Sequence, residues 1–326
     1  MKYFSAFSGI GGFDEEIRRV LLDTECVGYS EINKYAIKIY EKHFPNRINY
    51  GDIKQIKTSD LADFDMFCGG FPCQDLSIAG KRAGLEGCRS GLFYEIIRII
   101  QEKKPGLVFL ENVKGLFSSD KGRDFARVLL ALDGAGYDVE WQLLNSKNFG
   151  VPQNRERVFI IGHFRGKPWK PVFPIREGIK GCDKRTEQTT VNTLTAGGHS
   201  GGHHSSMTLL QVGGENQGNR IYSTEGLSKC LSDGGGQGAK TGLYQISKTI
   251  RTGGRSSPHG SKQNWDSYEI GSQIRRLTPL ECERLQGYSD RWTEGISDTQ
   301  RYKCLGNAVT VNVIEAIMKS IVSSSP

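Results

Sequence analysis

Apolar runs alternate with helical patterns along the first half of the chain. Tyr3–Phe7 is typical of a strand, and the apolar residues from Phe13 to Leu21 then recur at the spacing of a helix. Further strand-like runs follow at Glu25–Ser30, before Gly51, and at Phe64–Cys68, Leu107–Leu110, Val139–Leu144 and Val158–Phe164. This alternation predicts a doubly wound, mostly parallel α/β sheet of the Rossmann-like kind through residue 164.

Ligands of such a sheet bind at the carboxyl ends of its strands. The loop after the first strand carries Gly9, Gly11 and Gly12, so its N–H groups can approach a ligand closely. Its spacing is not the dinucleotide fingerprint, because the third glycine directly follows the second. Glu31, about 20 residues further on, suits ribose hydroxyls, and Asp52 suits an adenine amino group. Either carboxylate alone is typical of a solvated loop, whereas together they outline a nucleoside pocket.

Chemically reactive residues follow the next strands. Two glycines, expected to form a sharp turn, and Pro72 precede Cys73, which predicts a thiol on a stiff loop, although a cysteine taken alone is more often inert packing. Glu111 is expected at the end of the next strand, as an acid or hydrogen-bond partner for a bound base. Arg155 and Arg157 are expected on one strand face, where they suit a polarised carbonyl or a phosphate, or form an ordinary charged edge.

The regular alternation stops near residue 165 and resumes at Thr278, the expected cap of a helix that begins with Pro279. Residues 165–274 hold 14 Lys and Arg against 8 Asp and Glu, 20 of the 41 glycines and four of the six histidines. They also carry three degenerate repeats that end in Gly-Gly, at 191–198, 228–235 and 247–254. We therefore expect one domain from 1–164 and 275–326 and a second, mainly β/loop domain from 165–274. The composition of this second domain suits a nucleic-acid-binding surface. The alternative is a surface insertion that binds no ligand.

Composition narrows the class of protein further. At 326 residues the chain can bury a full core, and its formal net charge of +7 indicates an anionic partner only weakly. The eight cysteines form no Cys-x-x-Cys pair and no zinc-like cluster with histidine, so we expect free thiols and no metal. With no apolar stretch judged long enough for a membrane and no signal-peptide pattern, we expect a cytoplasmic protein.

Eight motifs occur in a fixed order along the chain. They are Phe-x-Gly-x-Gly-Gly, the strand-end Glu, Gly-Asp, Pro-Cys-Gln, Glu-Asn-Val, Gln-x-Arg-x-Arg, Arg-x-Leu-Thr with a later Leu-Gln-Gly, and Gly-Asn-x-Val. In this order the chain resembles, over nearly its whole length, the bacterial DNA (cytosine-5) methyltransferases of the restriction-modification type. The resemblance implies a class I S-adenosylmethionine-dependent fold and methylation of carbon 5 of a flipped cytosine at a short GC-containing site.

The resemblance also implies roles for single residues. Cys73 matches the family's nucleophile and Glu111 the residue that holds the cytosine edge, while Arg155 and Arg157 match the groups that steady the carbonyl and the loop. The residues implied to bind S-adenosylmethionine are Phe7, Ile10, Gly11, Glu31, Ile32, Asp52, Ile53, Pro72, Leu92, Asn307 and Val309.

The resemblance extends into the second domain, where residues 217–242 are similar to the target-recognition segment of the enzymes that methylate GCGC. The residues implied to bind DNA are Ser77, Gln217, Arg220, Gly234, Gly235 and Lys240, with Gln217 filling the gap left by the flipped base and Arg220 reading a guanine. One residue fewer before Gly234, Ala79 in place of a loop serine and an extra stretch at 247–268 depart from the pattern, so the recognition sequence stays open. The implied partners are double-stranded DNA and a cognate restriction endonuclease acting separately, with the chain itself a monomer.

Three alternatives use some of the same features. A nicotinamide-dependent oxidoreductase would share the glycine-loop opening but not this glycine spacing or the Pro-Cys-Gln loop. A transfer-RNA cytosine methyltransferase would share the framework, and the long basic segment favours DNA over RNA. A binding protein with an inactive site would need a replacement at Cys73 or Glu111, and both residues are present.

Overall fold

The computed structural model describes residues 1–21, 23–72, 91–175, 211–213, 221–223, 243–247 and 272–324, and gives the backbone alone for the short strands between 211 and 276. Its strands are β1 (Lys2–Ala6), β2 (Glu25–Ser30), β3 (Met66–Gly70), β4 (Leu107–Val113), β5 (Tyr137–Asn145), β6 (Glu156–Phe164), β7 (Gln211–Gly213), β8 (Ile221–Ser223), β9 (Leu243–Ser247) and β10 (Ser272–Arg276). Its α-helices are α1 (Gly12–Val20), α2 (Lys34–His43), α3 (Leu92–Lys103), α4 (Arg123–Gly134), α5 (Pro279–Leu285), α6 (Asp298–Asn307) and α7 (Val311–Ser324).

Six strands form the main sheet, in the order β2-β1-β3-β4-β6-β5. The pairs β1–β2, β1–β3 and β3–β4 are parallel, whereas β6 runs antiparallel to both β4 and β5. The predicted doubly wound, mostly parallel α/β fold is therefore confirmed. The four short strands from the middle of the chain form a second sheet, in the order β10-β9-β8-β7.

Helices cover both faces of the main sheet, and the alternation of side chains along each strand supplies both cores. On β1, Tyr3 belongs to one core cluster and Phe4 to the other, because successive side chains point to opposite faces. The first cluster includes Ile96 and Ile100 of α3, and the second includes Ile17 of α1 together with apolar residues of α7. The continuously apolar strands of the sequence are those of a sheet buried on both faces.

Two of the expected strand boundaries that differ in the structure concern Gly51 and Glu111. In place of a third strand before Gly51 there is a single bridge between Tyr29 and Asn49, because Gly51, with a φ of +68°, is outside the extended conformation of a strand. Glu111 is not at the end of its strand, because β6 pairs with β4 as far as Val113 and keeps it extended. By contrast, the predicted start of α5 is confirmed.

Residues 298–324 form the one stretch, among the described residues, whose length and hydropathy would allow a membrane span. The expectation that no stretch passes this test was therefore wrong. The stretch is nevertheless two helices, since Ala308 is extended between α6 and α7 with a ψ of 153°. Ile314 and Ile317 of α7 are fully buried in the core on the sheet, and this burial accounts for the apolar side of the helix.

Candidate active site

The glycine loop between β1 and α1 is held from several sides. Gly11 has a φ of +86°, and a Cβ there would lie 2.4 Å from the ring of Phe44, so only glycine fits. The indole Nε1 of Trp292 donates to the Ile10 carbonyl over 3.0 Å. The Ser8 hydroxyl is buried in this loop without a hydrogen-bond partner among the described residues. The loop is thus fixed by its neighbours and carries one buried hydroxyl that has no partner among the described residues.

Glu31 follows β2 and ties the glycine loop to the start of α2. One oxygen of its carboxylate accepts from the N–H of Gly9 over 2.8 Å, and the other accepts from Ile32 and Asn33 over 2.9 and 2.8 Å. The side chain of Ile32 beside it is 72% exposed. The exposed Ile32 side chain can pack against a flat ring of a ligand. The fixed Glu31 carboxylate beside it can accept hydrogen bonds from hydroxyl groups of the same ligand.

Asp52 lies on the neighbouring loop and caps a short 3₁₀ turn by accepting from the N–H of Lys54 over 3.0 Å. Ile53 is 2% exposed and packs in the main core, so its side chain is not on the surface of the loop. Phe7, with a φ of +50°, and Leu92, at the start of α3, are both half-buried against the same core. The implied cofactor residues from Phe7 to Leu92 therefore lie around the carboxyl ends of β1, β2 and β3.

The two glycines before Pro72 are the last residues of β3, not the turn that the sequence suggested. A Cβ on Gly69 would lie 2.2 Å from the Ala6 carbonyl oxygen, and one on Gly70 would lie 2.8 Å from Oε2 of Glu111. Both positions need glycine because neighbouring groups approach the strand closely.

Glu111 is buried in the middle of β4, and its Oε1 forms an ion pair with Nε of Arg157 over 3.0 Å. The adjacent Asn112 donates to the Phe71 carbonyl over 2.9 Å and so fixes the segment that leads to Pro72. A buried, paired carboxylate beside the exit of β3 can hold a polar ligand edge in one orientation. Cys73, the next residue after Pro72, lies outside the described residues.

Arg155 and Arg157 do not act on one group, contrary to the sequence expectation. β6 begins at Glu156, so Arg155 precedes the strand. Its guanidinium contacts a different part of the chain from that of Arg157. It donates to the carbonyls of Gly306 and Ala308, to the latter over 2.8 Å. Arg155 thus fixes the main chain on either side of the exposed Asn307.

Sequence reasoning missed a buried polar network that supports the same loop. Gln153 donates to the Leu285 carbonyl over 2.7 Å, and Gln286 donates to the Leu305 carbonyl over 2.7 Å. Thr310 donates to the side chain of Gln286 over 2.9 Å. These bonds join three distant motifs around residues 306–309, where α6 ends and the connection to α7 begins. The signal available in the sequence was glutamine within otherwise apolar, motif-like stretches.

The connection that follows α6 contacts the start of α1. A Cβ on Gly12 would lie 2.4 Å from the Tyr288 hydroxyl and 2.6 Å from Cγ2 of Val309. Burial raises the pKa of the Tyr288 phenol well above its usual range, so this hydroxyl stays protonated. The structure therefore brings Val309 to the glycine loop, although nearly 300 residues separate them.

The remaining sequence-predicted site residues lie outside the described part of the chain. They are Cys73, Ser77, Gln217, Arg220, Gly234, Gly235 and Lys240, and the Gly-Gly repeats lie there too, apart from Ser247 at the end of β9.

Comparisons with solved structures identify the fold. The chain resembles the crystal structure of a Dnmt2 methyltransferase from S. pombe, with a TM-score of 0.65 and 16% identity over 99% of this chain and 98% of that one. It also resembles a methyltransferase of Entamoeba histolytica, EhMeth, with a TM-score of 0.61 and 18% identity over 99% and 98% of the two chains. At these identities the likeness concerns the fold alone.

Sequence comparisons are closer. The family model of the C-5 cytosine-specific DNA methylases matches residues 1–323. The chain is 34% identical to the type II methyltransferase M.HhaI of Haemophilus parahaemolyticus, over 99% of this chain and 95% of that protein. It is also 34% identical to M.HpaII of Haemophilus parainfluenzae, over 98% and 88% of the two proteins. The chain therefore belongs to the C-5 cytosine-specific DNA methylases and is a DNA (cytosine-5-)-methyltransferase.

Proposed function

We propose that this enzyme transfers a methyl group from S-adenosylmethionine to carbon 5 of a flipped cytosine, through a covalent adduct with Cys73. The observation that carries the proposal is the buried Glu111–Arg157 pair beside the segment that leads to Cys73. Glu111 is one strand away from Gly70 in the sheet register, and Pro72 and Cys73 follow directly. The end of the strand that leads to the proposed nucleophile is thus paired with the group that can hold the base.

The residues present fit the proposed donor. S-adenosylmethionine, when bound, supplies an electrophilic methyl group on a sulfonium sulfur. Glu31 is held by three N–H groups with its oxygens fixed for ribose hydroxyls, and the exposed Ile32 suits the face of an adenine ring. The unpartnered Ser8 hydroxyl and the glycine loop suit the polar end of the ligand. The other proposed contacts are Phe7, Ile10, Gly11, Asp52, Ile53, Pro72, Leu92, Asn307 and Val309.

The role of each catalytic residue follows from the chemistry of cytosine, whose carbon 5 is too weak a nucleophile to be methylated directly. The Cys73 thiolate adds to carbon 6, and the electron pair of the 5,6 double bond makes carbon 5 nucleophilic. Glu111 holds the ring nitrogen edge and donates or shares a proton there, so that charge does not accumulate on the ring. Arg157 keeps the Glu111 carboxylate oriented. After transfer a solvent water takes the proton from carbon 5, the electron pair of that C–H bond re-forms the 5,6 double bond, and the bond from carbon 6 to sulfur breaks to release the Cys73 thiolate.

Recognition is proposed to lie in residues 165–274, whose excess positive charge suits duplex DNA. We propose Ser77, Gln217, Arg220, Gly234, Gly235 and Lys240 as DNA contacts and a short GC-containing site of the GCGC type, on the resemblance of residues 217–242. Two of the relatives are named type II methyltransferases, which supports a restriction-modification system with a separately acting nuclease. We further propose a cytoplasmic monomer. Bisulfite sequencing of DNA from a host that expresses the chain would identify the site, and methylation at sites unlike GCGC would contradict this part.

The covalent step is tested by trapping on a duplex with 5-fluorocytosine at the target position, in the presence of S-adenosylmethionine. Fluorine cannot leave as a proton does, so the adduct persists. We expect a denaturation-resistant complex with the wild type and with Cys26→Ser, a half-buried cysteine on β2 that serves as the control. We expect none with Cys73→Ser. A complex of the same yield with Cys73→Ser would refute the assignment of the nucleophile.

A further inference from the structure

Side chains attach the loop of Asp52 to the end of β2, and Asn49 makes three of these hydrogen bonds. The last main-chain contacts between these segments are the bonds from Tyr29 N–H to the Ile48 carbonyl, 2.9 Å, and from Tyr50 N–H to the Tyr29 carbonyl, 2.8 Å. Beyond this bridge the two segments diverge, and no strand continues among the described residues there. The amide of Asn49 lies at the point of divergence.

Asn49 bonds to both segments at once. Its Oδ1 accepts from the N–H of Glu31 over 3.3 Å and from the N–H of Gly51 over 2.9 Å. Its Nδ2 donates to the Glu31 carbonyl over 3.1 Å. The side-chain amide thus replaces main-chain pairing where the strand has ended, and it grips Glu31 in both directions. The bond from the Ser30 hydroxyl to the Gly51 carbonyl, 2.7 Å, supports the same connection.

These bonds hold the carboxylates of Glu31 and Asp52 at a fixed position relative to each other. Glu31 is bonded directly to Asn49, and Asp52 follows Gly51, whose N–H is bonded to the same oxygen. Gly51 has a φ of +68°, outside the extended region of a strand, and without a fixed anchor Asp52 would move with the loop. We infer that Asn49 is a positioning residue that pre-forms the nucleoside half of the donor site. This inference rests on the proposed function, in which Glu31 and Asp52 bind the ribose and the adenine.

An amide is the side chain that this position requires. Asparagine supplies an acceptor for two N–H groups and a donor for the Glu31 carbonyl. Aspartate of the same shape keeps the acceptor but sets a carboxylate oxygen against that carbonyl and adds a charge near Glu31 and Asp52. Alanine leaves all three main-chain groups without this partner. Asn49→Asp therefore removes part of the hydrogen bonding and Asn49→Ala removes all of it, and neither variant introduces a larger side chain.

The experiment measures binding of S-adenosylhomocysteine and of 5′-methylthioadenosine, which lacks the amino-acid part, by calorimetry on the full chain. We expect Asn49→Ala to weaken both ligands by the same factor, roughly 5- to 50-fold, and Asn49→Asp to weaken both as well. In methylation assays the KM for the donor should rise by a similar factor. The kcat at saturating donor and the KM for DNA should stay within about two-fold.

The matched control is Thr278→Ala. The Thr278 hydroxyl also accepts from a main-chain N–H group, that of Glu281 over 3.3 Å, but it caps α5 and bonds neither to Glu31 nor to the loop of Asp52 among the described residues. We expect it to lower the melting temperature with little change in donor affinity. Wild-type affinity for both ligands in folded Asn49→Ala or Asn49→Asp would overturn the positioning role alone. No binding of either ligand to the wild type would overturn the proposed donor and this inference together.

Discussion

Replacement of Asp14 by alanine should be among the most destabilising single changes in the described part of the molecule. Asp14 is fully buried in the first turn of α1 and accepts four hydrogen bonds. Its Oδ1 accepts from the hydroxyls of Tyr3 and Tyr40 over 3.1 and 2.7 Å and from Nη1 of Arg47 over 2.6 Å. Its Oδ2 accepts from the Ser5 hydroxyl over 2.8 Å. One carboxylate thereby joins α1 to β1, to α2 and to the loop after α2.

The magnitude follows from what the change leaves behind. The side chain of Arg47 is only 18% exposed and lies 4.4 Å from the ring centroid of Phe44, so its charge has little access to water. Removing one partner of a buried ion pair costs about 3–5 kcal/mol because the other charge is left uncompensated. The Tyr40 hydroxyl keeps its bond from Arg47, 2.9 Å, so the loss is not the sum of four bonds. We therefore expect a cost of about 3–5 kcal/mol.

Thermal unfolding of the full chain measures this cost, with Asp290→Ala as the matched control. Asp290 also pairs with an arginine, Arg284, but both side chains are about half exposed, so water screens the pair and that change should cost much less than Asp14→Ala. Asp14→Ala should lower the melting temperature by roughly 5–15 °C, and Asp14→Ala with Arg47→Met should be less harmful than the two single costs added. A shift for Asp14→Ala no larger than that of Asp290→Ala would refute the reasoning.

The layout of the main sheet could be predicted because local pattern determines it. Apolar runs buried on both faces and helical periodicity between them identify the order of elements and the carboxyl-end loops. Two of the errors at strand ends have a shared physical cause. Glu111 is interior to β4 because β6 pairs with it, and the third strand shrinks to one bridge because only Asn49 pairs with Tyr29 of β2. Both depend on a partner segment that no local window of sequence contains.

The supports of the site could not be predicted for the same reason. Glu31 and Glu111 could be proposed as site residues from their places after apolar strands, but their bonds to Gly9 and to Arg157 join segments that are distant in the sequence. Trp292 reaches the carbonyl of Ile10 across 282 positions of the chain. Arg155 was assigned to a ligand from its neighbour two residues on, whereas its guanidinium holds main-chain carbonyls 151 and 153 residues away. Residue type and spacing indicate which groups carry the chemistry, and only the packed fold shows which groups hold them.

Two further predictions concern α1. Gly12→Ala should cost about 1–3 kcal/mol in thermal unfolding, because its Cβ meets the Tyr288 hydroxyl, and adding Tyr288→Phe should recover part of that loss; no recovery would contradict the contact. Glu16 is buried, and this burial, opposed by Arg19 and assisted by Glu315, raises its pKa to about 7 from 4.5. Below about pH 4.5 Glu16 is protonated in both the folded and the unfolded states. As the pH rises from about 4.5 through 7, the unfolded state ionises before the folded state does, so the free energy of unfolding falls. Glu16→Gln removes that loss, so its melting temperature relative to the wild type should rise between pH 5 and pH 8, by an amount equivalent to roughly 1–3 kcal/mol. A difference independent of pH would show that the Glu16 carboxyl ionises in the folded protein as it does in the unfolded chain.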